Sequence, residues 1–208
     1  MAQSRAVVGV LLAAGAGSRM GGPKALVGPG FTAGGGGSPV WQVAGWMHAG
    51  GCQEVVVVIG ARAAEVRASL PAHPWLSVVE ATDWSHGMAA SLRAGLAHIT
   101  AGDAVAALVT LVDLPDVRAP VFERVLAAAE PADLGDRVLA RAVYQGRPGH
   151  PVLIGRRWWA GAAELARGDQ GARALFAARP HIVVECGDLA SGEDADQPPA
   201  SATHHPDA

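Results

Sequence analysis

Half of the 208 residues are apolar, yet the chain has few of the residues that would mark several common protein classes. It carries only two cysteines, Cys52 and Cys186, far apart and in no metal-ligand spacing. That excludes a disulfide-built scaffold and a cysteine metal site; both thiols read as buried or incidental, with a disulfide between them the lesser reading in a cytosolic protein. Aromatic residues make up 5% of the chain, which suits closely packed, alanine- and glycine-rich helices on a sheet. The formal net charge is −3, so no basic surface suggests nucleic acid. No apolar run of about 18 residues could span a membrane, and the first residues lack a signal-peptide core. The expectation is a cytoplasmic protein with neither nucleic acid nor membrane as partner. A Gly-x-Ser-x-Gly nucleophile elbow is also absent.

The most informative stretch runs from Leu11 to Lys24, Leu-Leu-Ala-Ala-Gly-Ala-Gly-Ser-Arg-Met-Gly-Gly-Pro-Lys. The preceding apolar run, Val7 to Leu12, reads as a buried strand. Glycines after a strand let the backbone turn and approach a ligand closely. Arg19 and Lys24 add two cations to the same loop, and free N–H groups with cations nearby make an anion site. A polyphosphate is the natural guest. Met20 stands where a dinucleotide fingerprint needs its third glycine, and Lys24 lies between Pro23 and Ala25, so the stretch is not a Walker loop either.

Strand-like and helix-like segments alternate along the chain. Strands are expected at Val7–Leu12, Val55–Ile59, Leu76–Val79, Val105–Val112, Val138–Tyr144 and His181–Glu185. Helices are expected at Pro39–His48 with Ser38 as its cap, at Ala61–Leu70, Met88–His98, Ala119–Ala129, Arg156–Leu165 and Gly171–Ala177. Gly146–His150 reads as a turn, Pro151–Ile154 as a brief extended piece, and the glycine-rich Val27–Ser38 as mobile. This alternation predicts a three-layer α/β/α, Rossmann-like architecture, mostly parallel and covered on both faces. One domain is expected over residues 1–190. The polar tail from 191 to 208 is expected to be partly disordered, its first part able to fold back on the site.

Ligands of such sheets bind beyond the carboxyl ends of the strands. Asp113 follows the apolar Val105–Val112 run directly. A carboxylate there needs a pair, a hydrogen bond or a metal. It reads either as a cap of the following turn or as a Mg²⁺ ligand, since that ion favours carboxylate and phosphate oxygens. Asp194 and Asp196 could add a second carboxylate only if the tail returns to the sheet edge. Gly87 and Ser91 open the Met88–His98 helix, whose N-terminus would favour an anion. His150 sits in a constrained Gly-Arg-Pro-Gly-His-Pro segment that reads equally as a plain turn and as a substrate loop.

These motifs together resemble the MobA-like nucleotidyltransferases and, within them, the molybdenum cofactor cytidylyltransferases. The likeness spans almost the whole chain. It rests on the Leu12–Gly21 loop, on Trp84–Leu92, on Asp113, on Gly149-His150-Pro151, on Gly168–Arg173 and on Asp194-Ala195-Asp196-Gln197-Pro198. It implies a nucleotide-diphospho-sugar-transferase-like fold. It implies that Leu12, Ala13, Ala14, Gly15, Gly17, Ser18, Arg19, Lys24, Gly87, Ser91 and His150 surround the nucleotide and acceptor. Arg19, Lys24 and Asp113 would carry catalysis, and Asp113 with Asp194 and Asp196 would hold Mg²⁺. The reaction implied is CMP transfer from CTP to the phosphate of molybdopterin with release of pyrophosphate. Transient contact with a molybdoenzyme or its maturation factor follows from the same likeness. Use of GTP, another small phosphate acceptor, and a non-catalytic cofactor carrier or inserter are the alternatives. The chain departs from the family pattern in Val112 and Leu114 around Asp113, in Gln197, and in the four glycines Gly34–Gly37.

Overall fold

A computed structural model of the chain describes residues 6–17, 22–26, 31, 37–129 and 135–194. The predicted Val27–Ser38 segment and most of the tail fall largely outside these residues.

The first strand, β1 (Val7–Leu12), is apolar along its whole length, as a strand covered on both faces must be. It lies between β2 (Glu54–Ile59) and β4 (Ala106–Leu111), parallel to both. β3 (Leu76–Glu80) extends the parallel block beyond β2. On the other side the order continues β4, β6 (Arg147–Gly155), β5 (Leu139–Tyr144), β7 (Ile182–Glu185). β6 is antiparallel to both of its neighbours, and β7 runs parallel to β5. Six of the seven strands therefore share one direction, and their carboxyl ends form one edge. Chain direction across the sheet reverses between β1 and β4, where the crevice of an open α/β sheet lies.

Two apolar layers hold the helices. α1 (Pro39–Ala49), α2 (Ala63–Ala68) and α4 (Ala119–Ala129) cover one face around Leu11, Met47, Val57, Leu108 and Phe122. α3 (Met88–Thr100), α5 (Trp159–Leu165) and α6 (Arg173–Ala178) cover the other around Val10, Val58, Leu92, Leu96, Val109 and Phe176. Alternate residues of β1 and β4 point into opposite layers, the period-two rule of a strand. Cys52 and Cys186 are free and buried, and burial pushes the Cys52 thiol up to about 12, so neither is a ready nucleophile. No helix among the described residues is long and apolar enough to cross a membrane.

Three local expectations are corrected. Residues 146–150 are not a free-standing turn. The turn is Gln145-Gly146, both at positive φ, and β6 begins at Arg147 and runs unbroken to Gly155. Pro148 and the flanking glycines concealed the first half of this strand, whereas its second half contains the expected extended piece Pro151–Ile154. Ser38 occupies the N-cap position of α1, but its hydroxyl donates to the Ser69 carbonyl at 3.4 Å instead of capping. The predicted Arg156–Leu165 helix is helical throughout, but its first turn, Arg156–Trp158, is 3₁₀ and the α-helix α5 begins only at Trp159.

Candidate functional site

Two loops leave the carboxyl ends of β1 and β4 side by side. In the first, Gly17 has φ +58°, and its carbonyl accepts a hydrogen bond from the Gly22 N–H at 3.3 Å. A Cβ at Gly17 would lie 1.9 Å from the Gly22 oxygen, so only glycine closes this clasp. Gly15, by contrast, faces open space, with nothing within 4 Å of a built Cβ. That is the backbone exposure a bound phosphate chain requires.

Lys24 returns from the loop to meet Asp113. Its Nζ donates to Asp113 Oδ2 at 2.8 Å, with the two side chains only 18% and 20% exposed. Sequence reasoning assigned these residues separate partners, and the fold joins them to each other. The second oxygen, Asp113 Oδ1, is buried and has no protein partner. Thr110 Oγ1 and Asp116 Oδ1 are the other buried side-chain oxygens without one among the described residues. All three fall at the carboxyl end of β4 or in the loop after it. Leaving such groups unpaired is costly, and of the three residues Asp113 is the one that lines the cleft, so its free oxygen is where a ligand could complete the bonding.

A cleft of about 380 Å³ opens here. Leu12, Ala14, Gly15, Ala16, Gly17 and Lys24 form one wall, Leu111, Val112 and Asp113 the floor, and Trp84, Ser85, Gly87, Met88, Ser91 and Asp169 the opposite wall. Predicted site residues Leu12, Ala14, Gly15, Gly17, Lys24, Gly87, Ser91 and Asp113 are thus brought together. Ala13 is buried beneath them, its N–H donating to the Val58 carbonyl. Ser18, Arg19 and Asp196 lie outside the described residues. Asp194 is described and exposed, and does not line the cleft.

Two side-chain roles differ from expectation. The N-terminus of α3 is already occupied by an anion of the protein itself. Met88 N–H donates to Asp169 Oδ1 at 3.3 Å, and a Cβ at Gly87 would strike that carboxylate at 2.5 Å. Gly87 and Ser91 wall the cleft, and at the helix end the Met88 N–H already has this carboxylate as its partner. Ala14 is 3% exposed, and its Cβ packs toward Gly60 beside Trp84.

His150 stands just beyond the cleft on β6. His150 is half-buried, and this burial, with the Arg141 charge beside it, pushes its pKa down to about 4 against the opposing pull of Asp113. The imidazole is therefore neutral near pH 7. Its backbone carbonyl accepts a 2.5 Å bond from the Tyr144 hydroxyl.

Tyr144 and Asp116 receive the start of the tail, partners that the sequence did not name although it allowed the tail's first part to fold back. Ser191 gives both its N–H and its hydroxyl to Asp116 Oδ2, each at 2.6 Å. Gly192, at φ +68°, lies flat on the Tyr144 ring, where a Cβ would come within 2.3 Å. Asp188 pairs with Arg124 one step earlier. Asp116, three residues after Asp113 in Val-Asp-Leu-Pro-Asp, was the available signal. The tail thus crosses the sheet edge on the same loop that carries Asp113, three residues further on.

A glycine loop, a lysine–aspartate pair and a cleft at the strand-order reversal define a nucleotide-handling α/β protein. The chain belongs to the MobA-like NTP transferase domain family, whose model matches residues 9–183. Nicotine blue oxidoreductase of Paenarthrobacter nicotinovorans is 38% identical over 200 residues, covering 91% of this chain and 92% of that protein. The crystal structure of Rv0371C from Mycobacterium tuberculosis H37Rv in complex with manganese is 25% identical, with TM-score 0.64 over 87% of each chain. A nucleotidyl transferase from Methanothermobacter thermautotroptrophicus, Mth528, shares the fold with TM-score 0.69 at 21% identity, over 88% of this chain and 89% of that one.

Proposed function

We propose that this protein transfers a nucleotidyl group from a nucleoside triphosphate, CTP by preference, to a phosphate-bearing acceptor, with molybdopterin the acceptor implied by the sequence likeness. The observation that carries this reading is the Lys24–Asp113 pair, which lines the same cleft as the open backbone of Gly15.

The triphosphate would run along Gly15–Gly17, its charge met by Lys24 and by Arg19 of the same loop. An acceptor phosphate oxygen attacks the α-phosphorus. The bond from that phosphorus to the bridging oxygen breaks, and pyrophosphate leaves. The acceptor is already anionic, so no protein nucleophile is required. What the chain supplies is orientation and charge compensation. The chemistry of the donor set suits a divalent cation. Asp113 Oδ1 is a buried carboxylate oxygen without a partner, and Mg²⁺ is commonly held by one or two carboxylates plus substrate phosphates. Bound there, such an ion would neutralise charge on the phosphates. Asp113 would hold it, and the tail acids Asp194 and Asp196 are the proposed second contact.

Pyrophosphate release with CTP, GTP, UTP and ATP, in the presence of acceptor and Mg²⁺, tests the reading. Release with none of them sinks it. A second reading comes from the 38% identical relative, which is named for an oxidoreductase activity. The same cleft would then serve a redox reaction, and turnover of nicotine blue in the absence of pyrophosphate release would favour it.

A further inference from the structure

On the sheet face covered by α3, α5 and α6, next to the cleft, is a cationic corner with no assigned task. Arg141 lies on β5 opposite Val152 of β6, immediately before the irregularity between Arg141 and Val143. Its guanidinium carbon is 5.5 Å from the centre of the Phe176 ring, and its Nε donates to the Gly149 carbonyl at 3.4 Å. The residue is half-buried. Its Nη groups meet no carboxylate or carbonyl among the described residues. Arg173 opens α6 three residues before Phe176, so both project from one side of that helix. It too has no acidic partner among the described residues. Burial, and then the Arg173 charge, lower the Arg141 pKa from its usual value.

Two guanidinium groups that repel each other, one of them partly withdrawn from water, are unfavourable in isolation. An anion between them reverses the sign. The planar fork of arginine matches a phosphoryl group in a two-pronged contact, and the Phe176 face holds Arg141 in orientation. The corner borders the cleft without lining it: Arg141 donates to Gly149, the neighbour of His150, and Arg173 follows by four residues Asp169, which lines the cleft. The register Val109↔Val152 between β4 and β6, continued by two residues, brings His150 to the level of Leu111, which borders the cleft.

We propose that Arg141 and Arg173, backed by Phe176, form an oxyanion subsite on the acceptor side of the cleft, made for the dianionic phosphate of a phosphate monoester. Its role as the acceptor's handle rests on the nucleotidyl-transfer reading, whereas binding of the anion does not. Lys24 and the glycine loop would hold the triphosphate, and this corner would hold the second phosphate-bearing substrate.

The test is an NMR titration of the full chain with inorganic phosphate and, separately, with phenyl phosphate. Each is run with the cleft empty and with it filled by a non-hydrolysable CTP analogue and Mg²⁺. The expected result is a saturable shift of the Arg141 Nε–H and His150 ring signals, with phenyl phosphate binding at least as tightly as phosphate. Arg141→Gln should weaken that binding by about tenfold and Arg173→Gln by several-fold, with triphosphate affinity unchanged. Arg173 is exposed, so its variant keeps the test valid if Arg141→Gln unfolds. No shift with either anion overturns the subsite, as does equal binding by wild type and both variants. Binding of inorganic phosphate but not of phenyl phosphate overturns its acceptor role. Anion binding that persists in a protein that binds no CTP analogue leaves the subsite standing and removes the nucleotidyl-transfer reading.

Discussion

The Lys24–Asp113 pair makes an opposite prediction for the two metal conditions, and Asp113→Asn exposes it. At 2.8 Å, with both side chains about four-fifths buried, the pair lies between an exposed ion pair and a fully buried one. Its net value is set at about 1–2 kcal/mol, since exposed pairs give up to about 1 kcal/mol and breaking buried ones costs about 3–5 kcal/mol. A metal-free triphosphate must part this pair to reach Lys24 and must also approach the Asp113 charge. Asparagine keeps the shape and removes both obstacles. In EDTA, Asp113→Asn should therefore bind triphosphate about 5- to 30-fold more tightly than wild type, the equivalent of about 1–2 kcal/mol. With Mg²⁺ the sign reverses, because the buried carboxylate oxygen that would hold the ion is gone. Turnover should then fall by about 3 kcal/mol in activation free energy, more than a hundredfold. Lys24→Gln should weaken binding under both conditions. Calorimetric titration with CTP in EDTA and in Mg²⁺ is the assay. Unchanged or weaker binding by Asp113→Asn in EDTA would refute the claim that this pair gates the triphosphate.

Other perturbations test neighbouring parts of the site. Gly192→Ala drives a methyl group into the Tyr144 ring at a positive φ. It should displace the tail, speed hydrogen exchange at Ser191 and lower kcat while leaving CTP affinity intact; unaltered exchange would mean the tail is not held there. Deleting the chain from Asp188 onward should abolish transfer and deleting the last ten residues should not, and full activity of the longer deletion would free the tail acids of any role. His150 has its pKa lowered to about 4, so the unfolded chain takes up its proton between about pH 6.5 and 4 while the folded one does not. Its contribution is complete above about pH 6.5 and declines as pH falls toward 4, by at most about 3 kcal/mol at 1.36 kcal/mol per unit. Urea midpoints for wild type and His150→Gln at both ends of that range should show a flatter slope in the variant, and parallel slopes would contradict a half-buried neutral ring. Ala14→Gly should narrow the preference for CTP over GTP in kcat/KM only slightly, because the Ala14 Cβ packs on Gly60 rather than filling the cleft; a large relaxation would show that this methyl group does discriminate between the bases.

Much was legible in the chain because local chemistry specified it. Val7–Leu12 and Val105–Val112 are apolar enough to demand cover on both faces, so the parallel sheet and the sites at its carboxyl edge followed from the residues themselves. Gly15 and Gly17 could be assigned to a turn that nears a ligand, since few other residues allow such a path. Asp113 stood out as a charge at the end of a buried strand. What the sequence left open depended on contacts between distant segments. That Lys24 meets Asp113, 89 residues away, is set by the adjacency of β1 and β4 and not by either local motif. The Asp169 carboxylate at the α3 N-terminus comes from a segment 81 residues further along. Ser191 on Asp116, and the uncompensated Arg141 beside Phe176, likewise exist only once the sheet order is fixed. The first half of β6 was concealed for a related reason: Pro148 and its flanking glycines break a strand when read locally, and only pairing with β5 turns that segment into part of the sheet. Periodicity and composition report how each segment meets water, whereas the meeting of two charges in space is decided by the topology that brings their strands together.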